Sequence, residues 1–271
     1  MTDTTITTAP SRTGRSRTGT RGLPVLIGIE AKLFLRDVGN LFFVVLCPAV
    51  LLVGMGLAIP GMREPIMELP QPWQGLRPVD LFTPVMLCVA VATAGLTTVP
   101  AYLAGYRETG ALRRMQTTPM QPQGVLLAQG LVQLIGAIAG ASLALLVGRL
   151  VFGSVLPERP VIAFATFLLA AAAMFALGVL IGGLAPKGNT ASGLGMLLYF
   201  PFLFLAGLWT PGPLMPDAVE RVATFTPLGA AAQAMNDAWF GTGMPWLQVA
   251  VMVAWAVVVF LIAARTFKWE T

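Results

Sequence analysis

The sequence predicts an all-α polytopic membrane protein with six transmembrane helices, and three observations support this fold class. Of the 271 residues, 56% are hydrophobic and only 11% are charged, against roughly 25% charged residues in soluble domains. The mean hydropathy is +0.78. Six uncharged, apolar runs are each long enough to cross a bilayer, which takes about 20 residues of helix. Because these runs are continuous rather than alternating, a transmembrane β-barrel is excluded.

The predicted spans contain no Asp, Glu, Lys or Arg, as expected when a charge at mid-membrane costs roughly 2.5–3.5 kcal/mol. The spans are 41–59, 81–105, 125–148, 161–185, 191–209 and 246–264. Together with their loops they form a transmembrane domain over residues 39–271. Residues 1–22 are rich in Thr, Arg and Ser and poor in apolar residues, which predicts a disordered tail.

The basic residues predict the orientation of the spans. Twelve of the 17 Lys and Arg residues lie on the side that holds both termini, and five lie on the other side. The positive-inside rule therefore places both termini in the cytoplasm. The abundance of Arg, Ala and Gly suggests a GC-rich bacterial genome, so we expect the membrane to be a bacterial plasma membrane. The net charge of +5 reflects this topology, so we expect no nucleic-acid partner.

Residues 23–38 predict an amphipathic helix that lies in the membrane interface before the first span. Ile27, Ala31 and Phe34 share one apolar sector, while Lys32 and Arg36 form a basic strip four residues apart. The dipeptide Gly39-Asn40 is expected to break the helix there. The alternative is that this segment extends the first span inward.

The loop over residues 106–123 is the most distinctive cytoplasmic segment. A short helix over 107–116 would carry apolar and basic side chains on different sides before prolines end it, which is the form of a docking element. The alternative is a basic loop that only sets the topology. The residues expected to form the docking surface are Arg107, Glu108, Leu112, Arg113 and Arg114.

The external segment 210–245 predicts two short re-entrant helices before the last span. The second should begin at Thr226-Pro227, with a hydroxyl cap and a proline at the first helical position. The following residues are apolar but too few to span, so we expect them to dip into the outer leaflet. The alternative is an exposed surface loop.

Several chemistries are missing from the sequence. There is no histidine, so a Ser-His-Asp triad and a histidine-ligated zinc site are excluded. No phosphate-binding loop of the form GxxxxGK[ST] is present, so the chain cannot hydrolyse ATP itself. Spans without charged residues also argue against ion-coupled transport. We therefore expect no catalytic residue, no metal site and no cofactor in this chain.

The sequence resembles the membrane subunit, or permease, of type-2 ABC transporters, in the branch that includes bacterial daunorubicin exporter permeases. The segment YRETGALRRMQTTPMQP matches the family pattern Y-R-E-x-G-x-L-x-R-x-x-T-x-P at the start of the coupling loop. FTPLGAAAQAMNDAWFG matches the family's element before the last span. The resemblance extends over nearly the whole chain after the tail.

The resemblance implies a separate ABC ATP-binding subunit, which carries the ATP and Mg²⁺ and contacts the 106–123 coupling loop and the 23–38 connecting helix. It also implies that residues 228–240 close the outer mouth. The expected gate residues are Pro227, Ala231, Ala234, Met235 and Trp239. Candidate residues for the translocation path are Thr93, Thr97, Thr98 and Phe202.

The leading hypothesis is that this chain is not an enzyme but half of the membrane part of an ATP-driven exporter. Two permeases, either copies or paralogues, and two ATPase subunits would export an amphiphilic drug, antibiotic or lipid-like compound, as in multidrug efflux and antibiotic resistance. An alternative is export of a lipid-linked glycan by the same kind of machine. A third hypothesis, from another class, is a non-transporting membrane anchor or membrane enzyme.

Overall fold

The computed structural model describes residues 22–110, 122–241 and 243–266. Every regular element within these ranges is helical, and none is a strand. Six of the helices are long and apolar enough to cross a membrane. The predicted all-α fold with six membrane-spanning helices is therefore confirmed.

Nine helices longer than one turn follow one another along the described part of the chain. Before the spans lies α1, Leu23–Arg36. The first five spans are α2, Val38–Ala58; α3, Pro78–Glu108; α4, Pro122–Val147 with a π-helical last turn, Gly148–Phe152; α5, Pro160–Leu184; and α6, Gly188–Leu205. Two short helices, α7, Asp217–Thr224, and α8, Pro227–Phe240, precede the last span, α9, Trp246–Thr266.

The start of α8 follows the local chemistry that the sequence indicates. The Thr226 hydroxyl accepts a hydrogen bond from the Gly229 backbone N–H at 3.2 Å. Pro227 occupies the first helical position, where a missing N–H costs nothing because that group would have no intrahelical partner. The predicted helix start at Thr226-Pro227 is confirmed.

The break before the first span lies two residues earlier than predicted. The expected break at Gly39-Asn40 is wrong, because both residues lie in the first turn of α2. The chain turns at Asp37, whose carboxylate accepts a hydrogen bond from the Asn40 backbone N–H at 3.0 Å. The Asp37 carboxylate caps a free N–H group at the start of α2. This stabilises the first turn more than Gly39 destabilises it.

The third helix, α3, forms the centre of the bundle. It packs against α2, α4, α5, α6 and α8, and an 18-residue window of it is entirely buried. In α6 and α9 only 17% of the corresponding window is buried. The outer helices therefore present apolar side chains outward, as a lipid environment requires, while α3 is enclosed by protein.

The close packing of α6 on α3 depends on Gly195. A Cβ atom at this position would lie 1.8 Å from the Leu96 carbonyl oxygen, whereas a Cβ atom at Gly193, about half a turn away, would meet nothing within 4 Å. Gly178 of α5 approaches Gly95 of α3 in the same way, since a Cβ atom there would lie 2.1 Å from the Gly95 carbonyl oxygen. Small residues thus allow the backbones of three spans to approach one another.

We expect Gly195→Ala to destabilise the protein by about 1–3 kcal/mol, because the added methyl group must push α6 away from α3. Gly193→Ala is the matched control on the same helix, and it should be neutral or slightly stabilising because alanine favours helix. The measurement is the thermal unfolding midpoint of each purified variant in detergent. Equal midpoints for the two variants would show that the contact does not constrain the packing.

Candidate functional site

The end of the bundle at which α1 lies, called here the α1 end, carries a ladder of buried and half-buried hydroxyl contacts. Three residues of α3 spaced four apart, Thr98, Tyr102 and Tyr106, lie on one face of the helix. The Thr98 hydroxyl donates to the Asn40 side-chain oxygen at 2.8 Å. The Tyr102 hydroxyl donates to Asp37 at 2.7 Å. These contacts attach the α1–α2 junction to the central helix.

The last rung of the ladder joins α3 to α1 itself. The Tyr106 hydroxyl donates to the Oε1 atom of Glu30 at 2.7 Å, and Glu30 is only 5% exposed. Its Oε2 atom is also buried and has no hydrogen-bond partner among the described residues. Burial raises the pKa of the Glu30 carboxyl, and the hydrogen bond from Tyr106 opposes this shift. The carboxyl therefore keeps its proton to a higher pH than an exposed glutamate does.

Arg107 contacts the end of α5. Its guanidinium group donates hydrogen bonds to the carbonyl oxygens of Gly182, at 3.2 Å, and Gly183. The last carbonyls of a helix have no intrahelical donors, and the helix dipole makes this end negative. An arginine placed there satisfies both the hydrogen bonding and the charge of the helix end.

Glu108, the next residue, contacts the start of α6. Its Oε2 atom accepts a hydrogen bond from the Gly188 backbone N–H at 3.1 Å, where a negative charge is favourable because it faces the positive end of a helix dipole. Arg107 and Glu108 together hold both sides of the short connection between α5 and α6. We call this pair of residues the α5–α6 clamp.

Of the predicted docking residues, the structure thus places the side chains of Arg107 and Glu108 against α5 and α6 of the same chain. Leu112, Arg113 and Arg114 lie outside the described residues. In the connecting helix, Phe34 is buried, Ile27 and Ala31 are half-buried against the core, and Lys32 and Arg36 are exposed. The connecting helix therefore packs on the bundle through its apolar residues and leaves its basic strip free of the core.

The predicted gate residues of α8 are all buried. They are Pro227, Ala231, Ala234, Met235 and Trp239. The helix packs against α3, α5, α6 and α9. The Trp239 indole N–H donates to the Val155 carbonyl oxygen at 3.0 Å, and the Arg159 guanidinium donates to the carbonyl oxygens of Asp237 and Gly243. Helix α8 is therefore tied to the segment that leads into α5.

The four candidate residues of the translocation path do not form one group. Thr93 bonds back to the Val89 carbonyl oxygen at 2.8 Å and also contacts the Tyr199 hydroxyl at 3.0 Å. The Thr97 hydroxyl bonds to its own helix, at the Thr93 carbonyl oxygen, and Thr98 belongs to the ladder described above. Phe202 packs edge-on against the Trp255 ring.

The sequence analysis missed the ladder partners Asn40, Glu30 and the tyrosines of α3. The spacing of Thr98, Tyr102 and Tyr106 was the available signal, since hydroxyls four residues apart in an apolar helix face a common neighbour. The partner segment could not be read from the sequence, because it lies more than 50 positions away. Among the described residues, no group of three or more His, Cys, Asp or Glu side chains could hold a metal ion.

Comparison with known proteins agrees with this architecture. Residues 75–265 match the family described as ABC-2 family transporter protein. The chain is also 23% identical over 179 residues to the Bacillus subtilis (strain 168) protein named "Putative transport permease YvfS", an alignment that covers 66% of this chain and 73% of that protein. The matched region of the family runs from the start of α3 to the end of α9. The chain therefore belongs to the ABC-2 family of transporters, as a multi-pass permease subunit.

Proposed function

We propose that this chain is the membrane subunit of an ATP-driven exporter, which moves an amphiphilic drug, antibiotic or lipid-like compound outward. A separate ATP-binding subunit, of the kind that the family implies, would supply ATP and Mg²⁺. The α5–α6 clamp is the observation that supports this proposal. Through it, the start of the α3–α4 loop is connected to α3, α5 and α6.

The clamp offers a route for mechanical coupling. Glu108 is the last residue of α3, so the α3–α4 loop begins where Arg107 and Glu108 contact α5 and α6. A partner that pushes on this loop would displace the buried central helix and the ends of two neighbouring spans together. No charged residue inside the membrane is needed for such a mechanism, which is consistent with the uncharged spans.

The connecting helix α1 supplies a second contact in this proposal. The Tyr106–Glu30 hydrogen bond ties it to the last turns of α3, so a partner that contacts α1 and the loop together would act on one connected unit. The exposed Lys32 and Arg36 side chains would face acidic groups of the ATP-binding subunit. Arg113 and Arg114 would extend this basic surface along the loop.

The remaining parts of the proposal concern assembly and the external gate. Two permeases and two ATP-binding subunits would form the transporter in a bacterial plasma membrane. The sparsely buried helices α2, α6 and α9 leave apolar faces for lipid and for the second permease. Helix α8, packed on four of the membrane-spanning helices, would close the outer end of the path through the five buried residues named above.

The orientation is tested by labelling cysteines in sealed cells. Gln74 and Asn189 are both exposed and lie at opposite ends of the bundle. In a variant without Cys47 and Cys88, we expect a membrane-impermeant thiol reagent to modify Gln74→Cys and to leave Asn189→Cys unmodified until the cells are lysed. Modification of Asn189→Cys in intact cells would reverse the proposed orientation.

The docking surface is tested by charge reversal of the loop. We expect Arg113→Glu with Arg114→Glu to abolish transport while membrane insertion is kept, because like charges replace an attraction at a cost of several kcal/mol (roughly 2–5). Arg221→Glu, exposed at the other end of the bundle, is the control. The measurements are co-purification with the ATP-binding subunit and export from cells. Normal assembly and export by the double variant would show that the basic residues of the loop only set the topology and do not bind the ATP-binding subunit.

The clamp is tested by Glu108→Ala. Because the carboxylate is worth about 0.3–1 kcal/mol at a helix N-terminus, we expect ATP hydrolysis to continue while transport per ATP falls up to about fivefold. Glu64→Ala removes an exposed carboxylate from the loop after α2 and should leave the ratio unchanged. The ratio is measured in proteoliposomes that contain both subunits. An unchanged ratio for Glu108→Ala would contradict the coupling role of the clamp.

A further inference from the structure

A cavity of about 250 Å³ opens at the end of the bundle that holds α7 and α8. It lies between the last turn of α6, the helices α7 and α8, the first turn of α9 and the loop that precedes α3. Its polar lining consists of Trp73, Glu220, Gln233, Asn236, Asp237 and Gln248. The cavity lies on the polar side of α8, away from the buried face that carries Ala231, Ala234 and Met235.

Two buried polar atoms of this lining have unused hydrogen-bonding capacity. Asn236 is only 8% exposed. Its amide nitrogen donates to the Ala232 carbonyl oxygen at 3.0 Å, but its Oδ1 atom has no donor among the described residues. The indole Nε1 of Trp73 is likewise buried without an acceptor in that part of the chain. Because buried polar groups are normally paired, the cavity offers one acceptor and one donor to a ligand.

Gly212 keeps the space beside the Asn236 amide open. A Cβ atom at Gly212 would stand 3.6 Å from the Asn236 Oδ1 atom, within van der Waals contact. The backbone φ angle of Gly212 is +51°, which residues other than glycine rarely adopt. The absence of a side chain here leaves space for an atom within contact distance of the amide oxygen, which is itself buried.

The charges of the cavity lining favour a positively charged ligand. Glu220 and Asp237 contribute two carboxylates, and no Lys or Arg is among the described lining residues. Arg159 approaches Asp237 from the α5 side, where it binds the backbone carbonyl oxygen, so it only partly offsets this charge. Burial raises the pKa of the Asp237 carboxyl and Arg159 opposes the shift, as expected for a carboxylate held partly out of water. A cleft with one sign of charge concentrates ligands of the opposite sign.

The rest of the wall is suited to an apolar body. Leu205, Pro213 and Met215 line the cavity beside the polar groups. The wall is also held in place, because the Gln248 amide donates to the Gln233 side-chain oxygen at 3.3 Å and Gln233 is bonded in turn to Thr224. A fixed pocket with an apolar side and a few placed polar groups is typical of a small-molecule site.

We propose that this cavity binds a protonated amine carried on a compact apolar body. The ammonium group lies between the carboxylates of Glu220 and Asp237 and donates to the Asn236 Oδ1 atom, while the apolar part contacts Trp73 and Met215. The view that this ligand is the exported compound, held at the outer end before release, rests on the proposed function. Binding itself requires only the permease.

The test measures binding to the permease alone, in nanodiscs of phosphatidylcholine. The probes are 4-fluorobenzylammonium, neutral 4-fluorobenzyl alcohol and anionic 4-fluorobenzoate, followed by fluorine NMR line broadening, with empty nanodiscs subtracted. We expect the cation to bind more tightly than the alcohol and the anion to show no binding. We also expect 4-fluorobenzylammonium to protect Gln248→Cys from a membrane-impermeant thiol reagent, in a variant without Cys47 and Cys88.

The site is assigned by variants. Glu220→Gln with Asp237→Asn should raise the dissociation constant of the cation about tenfold or more. Glu64→Gln with Glu158→Gln removes two exposed carboxylates outside the cavity and should change it by less than about twofold. Glu220→Lys alone changes a solvent-exposed residue, so it leaves the fold intact and should also prevent binding. Trp73→Phe keeps the aromatic contact and loses an N–H for which the ammonium offers no acceptor, so it should leave the binding of the cation nearly unchanged.

Two results would overturn this inference. In one, the cation binds no better than the alcohol and gives no protection of Gln248→Cys, so that water alone fills the cavity. In the other, the Glu220 and Asp237 variant binds the cation as well as the unmodified protein does. Both are independent of the proposed function, which is judged by assembly with the ATP-binding subunit and by transport. If the permease binds the cation but neither assembles with the ATP-binding subunit nor transports, the proposed exporter function is wrong and the proposed binding site still holds.

Discussion

Helix α3 is enclosed by five other helices, and this enclosure constrains how the remaining spans of the bundle pack. Lipid tails are as apolar as the side chains of a span, so the hydrophobic effect does not drive the spans together. The position of α3 is therefore set by close contacts with the backbones of its neighbours. At one end, the Arg77 guanidinium bonds to Asp80 at 2.8 Å and to the Phe152 carbonyl oxygen at 2.8 Å. At the other end, Arg107 and Glu108 bond to α5 and α6. The central helix is thus fastened at both ends by charged groups and in its middle by small residues.

The two ends of the bundle use their polar groups differently. At the α1 end, the Tyr106–Glu30 hydrogen bond and the α5–α6 clamp join α3 to α1, α5 and α6, while the Oε2 atom of Glu30 has no hydrogen-bond partner among the described residues. In the proposed exporter, these contacts would let a force on the α3–α4 loop act on α1, α3, α5 and α6 together. At the α8 end, Asn236 and Trp73 keep hydrogen-bonding capacity unused beside an accessible cavity, which suits a surface that receives a ligand.

Much of the fold could be predicted from composition, since the membrane leaves few alternatives. Six uncharged runs had to become six helices because lipid tolerates neither unpaired backbone groups nor free charges. The local start of α8 at Thr226 and Pro227 was also readable, as capping depends only on neighbouring residues. The helix break at Asp37 was not predicted. Gly39-Asn40 indicated a break two residues later, but the Asp37 carboxylate caps the Asn40 backbone N–H and starts the helix earlier.

The sequence by itself determined the number of spans, the start of α8 and the family pattern of the α3–α4 loop, all of which are properties of single segments. Only the tertiary structure decided which side chains meet. The sequence predicts that Arg107 and Glu108 contact the ATP-binding subunit. It does not predict that they also contact the ends of α5 and α6, more than 70 positions further along the chain. The same is true of the cavity, whose lining comes from six separate segments. Contacts between distant segments depend on how helices pack in three dimensions, and periodicity along one helix does not specify its neighbour.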